Sequence, residues 1–241
     1  MKDGYRHEYK YWISRQSADL LRRQLPHLLR PDPHVGPTGQ YTIRSLYFDD
    51  PAYSAYYEKV NGVRDRAKYR IRCYNYNFDI LKLEKKEKHG ALTKKTAQSI
   101  SRRDAQVLCH SLLDHCPDQP GPLTEELRLA CCGRALRPMV LVDYDRTPFV
   151  SICGNTRITL DENLRTRVAC SDLEASEQAL IPVLQPNQAI LEVKFDDFIP
   201  AHFLQVLNAI PKTPMAISKF PLCMDVSYNR KENYREVEAN D

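Results

Sequence analysis

Residues 68–88 read KYRIRCYNYNFDILKLEKKEK, and their period of two is the feature that most limits what this chain can fold into. Successive side chains of a strand point to opposite faces, so Lys68, Arg70 and Arg72 share one face while Tyr69, Ile71 and Cys73 share the other. Lys82, Glu84 and Lys86 likewise stand opposite Leu81 and Leu83. The apolar side of such a strand packs against the protein. The charged side then meets water, or lines the interior if the sheet closes into a barrel.

The same inversion recurs along the chain. Arg6, Glu8 and Lys10 share a face of a first strand, Tyr144 and Arg146 of a later one, and Arg157, Thr159 and Asp161 of the next. Glu192 and Lys194 stand opposite Leu191, Val193 and Phe195. Exposed strand faces ordinarily mix Thr, Ser, Glu, Lys and Gln, whereas these favour Arg and Lys. Arg64 to Arg103 holds thirteen Lys plus Arg against four Asp plus Glu, a local +9 in a chain of net +4, which leaves −5 elsewhere. Such segregation points to an anionic partner, because converging cations in a low-dielectric space repel unless an anion sits among them. Glu8, Glu84, Asp161 and Glu192 would compensate part of that charge and suit a hard divalent cation bridging phosphate oxygens.

Around these strands the sequence predicts helices. Ser14 or Ser17 caps an amphipathic segment bearing Leu20, Leu21, Leu25 and Leu28, and Ser101 opens a helix to about Cys116. Thr124 is expected to cap another helix that ends near Gly133, and Lys88, Lys94 and Lys95 fall around Gly90 in an expected loop. Seven or eight strands with four or five helices, and no linker or repeat, predict one α+β domain over residues 1–241 built on an antiparallel sheet or barrel. At 42% hydrophobic and 27% charged residues the composition excludes a disordered chain, and no run approaches the roughly 20 apolar residues of a membrane span. The N-terminus lacks an apolar signal core, so a cytoplasmic chain is expected. Eight cysteines without a C-x-x-C pair read as reduced, structural thiols, and the seven histidines show no ligand spacing.

Taken in order, RHEYKYWI, SLYFDD, KYRIR, LEKKEK, DYDRTPF, TRITLD, LEVKF and the late SKF resemble the VTC domain. That domain is the polyphosphate polymerase module of the triphosphate tunnel metalloenzyme superfamily, which also holds the CYTH domains. The likeness runs from about Tyr5 to Met224. It implies an eight-stranded antiparallel tunnel with helices outside and a basic lumen that takes ATP and inorganic polyphosphate with Mn2+ or Mg2+. The implied reaction moves the ATP γ-phosphate onto a polyphosphate chain and releases ADP. By the same resemblance Lys10 matches the basic residue of the first strand, Arg70 and Arg72 the R-x-R pair that grips phosphates, and Lys86 the lysine of the next strand. Lys94 or Lys95 matches a lysine beyond the following turn, and Arg146 the arginine of the D-R-T-x-F motif, with Tyr144 two residues before it. Arg157 corresponds to the arginine of R-I-T-L-D, Glu192 to the metal-holding glutamate, and Ser218 and Lys219 to the terminal S-K pair.

The chain departs from the characterised eukaryotic members in showing neither an N-terminal phosphate-sensing helical domain nor a C-terminal membrane segment. No direct membrane span is therefore expected, and a membrane-protein partner stays open. Arg6 stands where hydrolases of the E-x-E-x-K type carry a glutamate, which weighs against a triphosphate hydrolase. A non-catalytic polyphosphate-binding module is the third alternative. Nucleic acid is not the expected partner, because the basic residues alternate along strands and the aromatic RNA-binding pattern is missing. Lys85 and Glu87 on the opposite face, and Lys68 near a strand end, read as surface residues.

Overall fold

The structure, a computed structural model, describes residues 7–90, 92–111, 117–118, 120–214, 216 and 218–226. In chain order its elements are β1 (His7–Ser14), α1 (Arg15–Gln24), β2 (Arg30–Pro31), β3 (Tyr41–Asp49), α2 (Ser54–Val60), β4 (Asp65–Tyr74), β5 (Asn77–His89) and β6 (Leu92–Ile100). There follow α3 (Arg102–Gln106), α4 (Pro122–Arg134), β7 (Arg137–Val150), β8 (Arg157–Val168), β9 (Ile181–Pro182), β10 (Gln188–Phe195), α5 (Ala201–Asn208) and β11 (Thr213–Pro214). The hydrogen-bonded order is β11-β1-β10-β8-β7-β3-β4-β5-β6, with β2 on β7 and β9 on β8. Every strand pair with a resolved register is antiparallel. The α+β class of the sequence reading therefore holds. The strand count does not: eleven strands form among the described residues instead of eight, because β2, β9 and β11 are two-residue pieces that periodicity is too coarse to register.

Contacts divide the chain into two compact units. Unit 1 comprises Met1–Ile43, Tyr144–Leu164 and Leu184–Ile217, and unit 2 Arg44–Asp143, Arg165–Val183 and Ser218–Asp241. The sequence reading expected one domain without a natural cut, and neither unit is a continuous stretch. β3, β7 and β8 each run from one unit into the other. Arg6 and the expected end of the Ser101 helix lie outside the described residues.

In unit 1, Ser14 caps α1 by accepting the Ser17 N–H at 3.0 Å. Leu21 of that helix and Phe203 and Leu207 of α5 then bury against Ile158, Leu160, Ala189, Leu191 and Val193. Each fully buried aliphatic side chain here contributes about 1.5–3 kcal/mol. In unit 2 the β4–β5 hairpin turns through Asn75 and Tyr76, both with φ near +50°, as a two-residue turn matching the strand twist requires. Tyr69, Ile71, Cys73, Leu81 and Leu83 form its apolar face and pack with Leu108, Leu123 and Leu127, the last two from α4. The helices thus cover the apolar faces, and the charged faces are the opposite ones.

β6 is the element the sequence reading missed. LTKKTAQSI carries polar residues on both sides, so no periodicity marks it, yet it pairs with β5 over nine residues. Lys94 and Lys95 therefore lie on a strand and not in a loop. Gly90, at φ +60°, allows the tight return between the two strands.

Candidate functional site

Unit 1 gathers its charged residues by register. Lys10 is opposite Glu192 and Glu8 opposite Lys194 across β1 and β10, and on the next strand Glu192 faces Thr159 and Lys194 faces Arg157. The Lys194 ammonium lies 2.6 Å from Glu192 Oε1 and 3.3 Å from Glu8 Oε1, with Lys10 Nζ 3.4 Å from the latter oxygen. Arg146 grips Asp161 through two parallel hydrogen bonds, Nε to Oδ1 at 2.6 Å and Nη2 to Oδ2 at 2.7 Å. Its Nη2 also donates to Glu192 Oε2 at 3.5 Å, and its guanidinium lies 5.3 Å from the centre of the buried Tyr144 ring. Burial disfavours the Glu192 charge, but Lys194, a hydrogen bond with Glu8, Lys10 and Arg146 outweigh it and hold the carboxyl well below the usual range. Burial likewise disfavours the Arg146 charge, and Asp161 and Tyr144 more than restore it.

Arg157 is pinned by residues that periodicity could not reveal. Its Nη2 lies 2.8 Å from Asp32 Oδ2 and donates to Tyr41 Oη at 2.9 Å. Asp32 sits in the loop after β2, buried, and accepts the His34 N–H at 2.9 Å. Burial raises its carboxyl, but the His34 hydrogen bonds and Arg157 bring it below the ordinary value.

In unit 2 the charged face of β4, β5 and β6 resolves into rows. Arg66 faces Lys88, Lys68 faces Lys86 and on to Lys95, Arg70 faces Glu84, and Arg72 faces Lys82. Eight cations thus share the face with one carboxylate. Lys68, Lys86 and Lys95 are directly opposite one another, an arrangement that destabilises a sheet unless an anion compensates it. Glu84 is 1% exposed; its Oε2 takes Arg70 Nε at 2.7 Å and Nη2 at 2.6 Å, with Arg72 Nη1 at 3.8 Å, and its Oε1 takes Lys95 Nζ at 2.5 Å. Burial disfavours the Glu84 charge, but Arg70, Arg72 and Lys95 win and bring its pKa down to about 2. Arg70 Nη1 also donates to Tyr47 Oη at 2.6 Å, and Arg72 Nε to Ser45 Oγ at 3.0 Å.

Of the two lysines offered by the sequence, Lys95 is on this face. Lys94 pairs with Glu87 on the side where Lys85 meets Glu126 of α4. Lys68, read from the sequence as a surface residue, donates to Ser218 Oγ at 3.1 Å and lies 5.7 Å from the centre of the Tyr47 ring and 5.5 Å from that of Phe220. Lys219 is half-buried at the start of the helical segment 219–226. Ser45, Tyr47, Tyr41, Asp32, Lys194 and Lys68 are the residues that the sequence reading did not place in the site. Lys68 and Lys194 carried a signal in the period of two that puts them on charged faces, and Tyr41, Ser45 and Tyr47 in the alternation of YTIRSLYFD, whereas Asp32 carried none.

Among the described residues no group of three or more His, Cys, Asp or Glu is placed to hold a metal. Glu8 and Glu192 do share one ammonium, which brings two hard oxygen donors together. Such a pair suits Mg2+ or Mn2+, which binds through one or two carboxylates while phosphates and water fill the remaining positions. The seven described cysteines are free thiols, and among the described residues no helix is long and apolar enough to cross a membrane.

The VTC domain model matches residues 5–228, nearly the whole chain. The chain belongs to the VTC domain family. This VTC domain shares its fold with a Bacillus halodurans protein provisionally named an adenylate cyclase, at a TM-score of 0.54 and 18% identity over 88% of this chain and 93% of that one. The PH1819 protein of Pyrococcus horikoshii OT3 aligns over 92% of this chain and 98% of its own, at 10% identity and a TM-score of 0.48. Comparison with curated proteins gives no significant match.

Proposed function

We propose that this VTC domain is an ATP-polyphosphate phosphotransferase, working in the tunnel that its family implies. The observation that carries the reading is the β4–β5–β6 face, where eight cations stand against Glu84 and three lysines oppose one another in a row. A linear polyanion relieves that repulsion along its length. Arg70 and Arg72 of unit 2 grip phosphate oxygens as planar forks, with Lys86, Lys95 and Lys219 as point charges and Ser218 as a hydroxyl donor. In unit 1, Arg146, Arg157 and Lys10 take phosphate, and Tyr144 supports the Arg146 guanidinium. Lys95 replaces Lys94 in this assignment because of its face.

The reaction needs no side-chain nucleophile. A terminal phosphate oxygen of the acceptor chain attacks the ATP γ-phosphorus, the bond from that phosphorus to the β,γ-bridging oxygen breaks, and ADP leaves with the electron pair. The protein's part is orientation and neutralisation of the charge on the transferring group. Glu192 with Glu8 would hold Mn2+ or Mg2+, which when bound neutralises phosphate charge.

Incubating the purified protein with ATP and Mn2+ tests the reading. ADP and long phosphate chains resolved on a gel are expected. Orthophosphate as the sole product would establish a triphosphate hydrolase instead, and tight polyphosphate binding without turnover would leave a binding module.

A further inference from the structure

We infer that Glu84 is the positioning residue of the phosphate-gripping face, the carboxylate that fixes Arg70, Arg72 and Lys95 relative to one another. This inference rests on the phosphotransferase reading and adds a role that the sequence left as charge compensation or cation binding. Three observations carry it. Glu84 lies on β5, the middle strand of three, between Arg70 on β4 and the β6 strand that bears Lys95. It divides its oxygens, Oε2 to the two arginines and Oε1 to the lysine, so one buried group spans all three strands. Each arginine has a second anchor on β3, Tyr47 Oη for Arg70 and Ser45 Oγ for Arg72, so the Glu84 contact fixes an orientation and not merely a distance.

Glu84 is engaged by two guanidinium groups and an ammonium, and the local charge is +2 with it present. Without it, three cations would face one another from neighbouring strands without the carboxylate that joins them, and their repulsion would favour separation by rotamer change. The face as a whole would still attract an anion, with one negative charge fewer, but the loosened Arg70 and Arg72 would each contribute less to holding it in one pose.

That separation of binding from orientation sets the test. Glu84→Gln keeps the shape and removes the charge. Titrating tripolyphosphate by calorimetry, the variant is expected to bind as tightly as wild type or up to about tenfold tighter, since a negative charge has left an anion site. Its kcat for polyphosphate synthesis is expected to fall about 10- to 100-fold with KM for ATP unchanged or lower, the signature of lost orientation. Glu84→Asp, which restores the charge one methylene short, should recover part of the turnover. A kcat within twofold of wild type would overturn the inference, as would binding and turnover falling together with thermal stability, which describes a structural residue only.

A double-mutant cycle keeps the inference separable from the phosphotransferase reading. Arg70→Ala should weaken tripolyphosphate binding several-fold more in wild type than in the Glu84→Gln background, whether or not the protein turns over ATP. Equal losses in both backgrounds would sink the positioning role. Absence of chain synthesis by wild type would instead sink the phosphotransferase reading and leave the cycle to judge Glu84 by itself.

Discussion

Replacing Asp161 by Asn should be among the most costly single-atom changes in unit 1. Asp161 is 1% exposed and Arg146 8%, and two short hydrogen bonds join them. The variant keeps the shape but strips the guanidinium of its counter-charge. Among the described residues the other carboxylate paired with Arg146 is Glu192, 3.5 Å away and already held by Lys194 at 2.6 Å. Arg146 cannot escape by losing its proton, because a guanidinium stays charged inside proteins. Breaking one side of a buried pair costs about 3–5 kcal/mol, and at roughly 2–4 °C per kcal/mol for a chain of this size the melting temperature should fall by about 6–20 °C. Calorimetry or urea unfolding at constant m-value reads the loss, with Asp161→Glu as the charge-preserving control. The double variant Arg146→Met, Asp161→Leu sharpens the test. Apolar residues of similar volume replace a buried pair at little cost or with a gain, so the double variant should regain most of the stability while losing phosphate transfer. A loss under about 1 kcal/mol in Asp161→Asn would refute the reasoning, and so would an active double variant.

Three further outcomes are expected. The Glu84 carboxyl has its folded pKa lowered from 4.5 to about 2, so its contribution is fully present above pH 4.5 and is lost as pH falls toward about 2. At about 1.4 kcal/mol per unit this is roughly 3 kcal/mol, and Glu84→Gln should flatten the acid limb of stability against pH over that window in chemical denaturation. Lys95→Ala should weaken tripolyphosphate binding about tenfold while Lys94→Ala changes it less than about twofold, since they lie on opposite faces of β6; equal effects in calorimetry would remove the facing argument. Asp32→Asn should raise KM for ATP several-fold through a loosened Arg157, with about 2 kcal/mol of lost stability from the broken buried pair. An unchanged KM would show that Arg157 needs no such anchor.

Strand existence and facing were legible because alternation is a local property of the chain. Arg70 with Arg72, Glu192 with Lys194, and Arg157 with Thr159 and Asp161 all fall on the charged faces that a period of two assigns. What the sequence hid was contact at a distance. Nothing near Asp32 marks it as the partner of Arg157, more than a hundred residues away, and no period distinguishes Lys94 from Lys95 until the pairing of β6 with β5 is known. Lys68 was misjudged for a related reason. Its neighbours in sequence say only that it lies near a strand end, whereas its contacts, Ser218 and Phe220, come from the other end of the chain.

The two units answer the same problem of charge differently, and that difference bears on what each binds. In unit 1, Lys10, Arg146, Arg157 and Lys194 stand against Glu8, Asp161, Asp32 and Glu192, and the constellation is neutral. A phosphate entering it must displace a carboxylate from a cation, or come with a cation that the carboxylates can share. In unit 2 the face keeps a large excess of positive charge, so an anion gains at once and needs no exchange. Screening weakens that second kind of binding most, because two of its lysines, Lys82 and Lys95, are exposed to solvent and the others are only half-buried. Anion binding that depends on Arg70 should therefore fall steeply with ionic strength, whereas binding that depends on Arg146 should respond more to divalent cation than to salt.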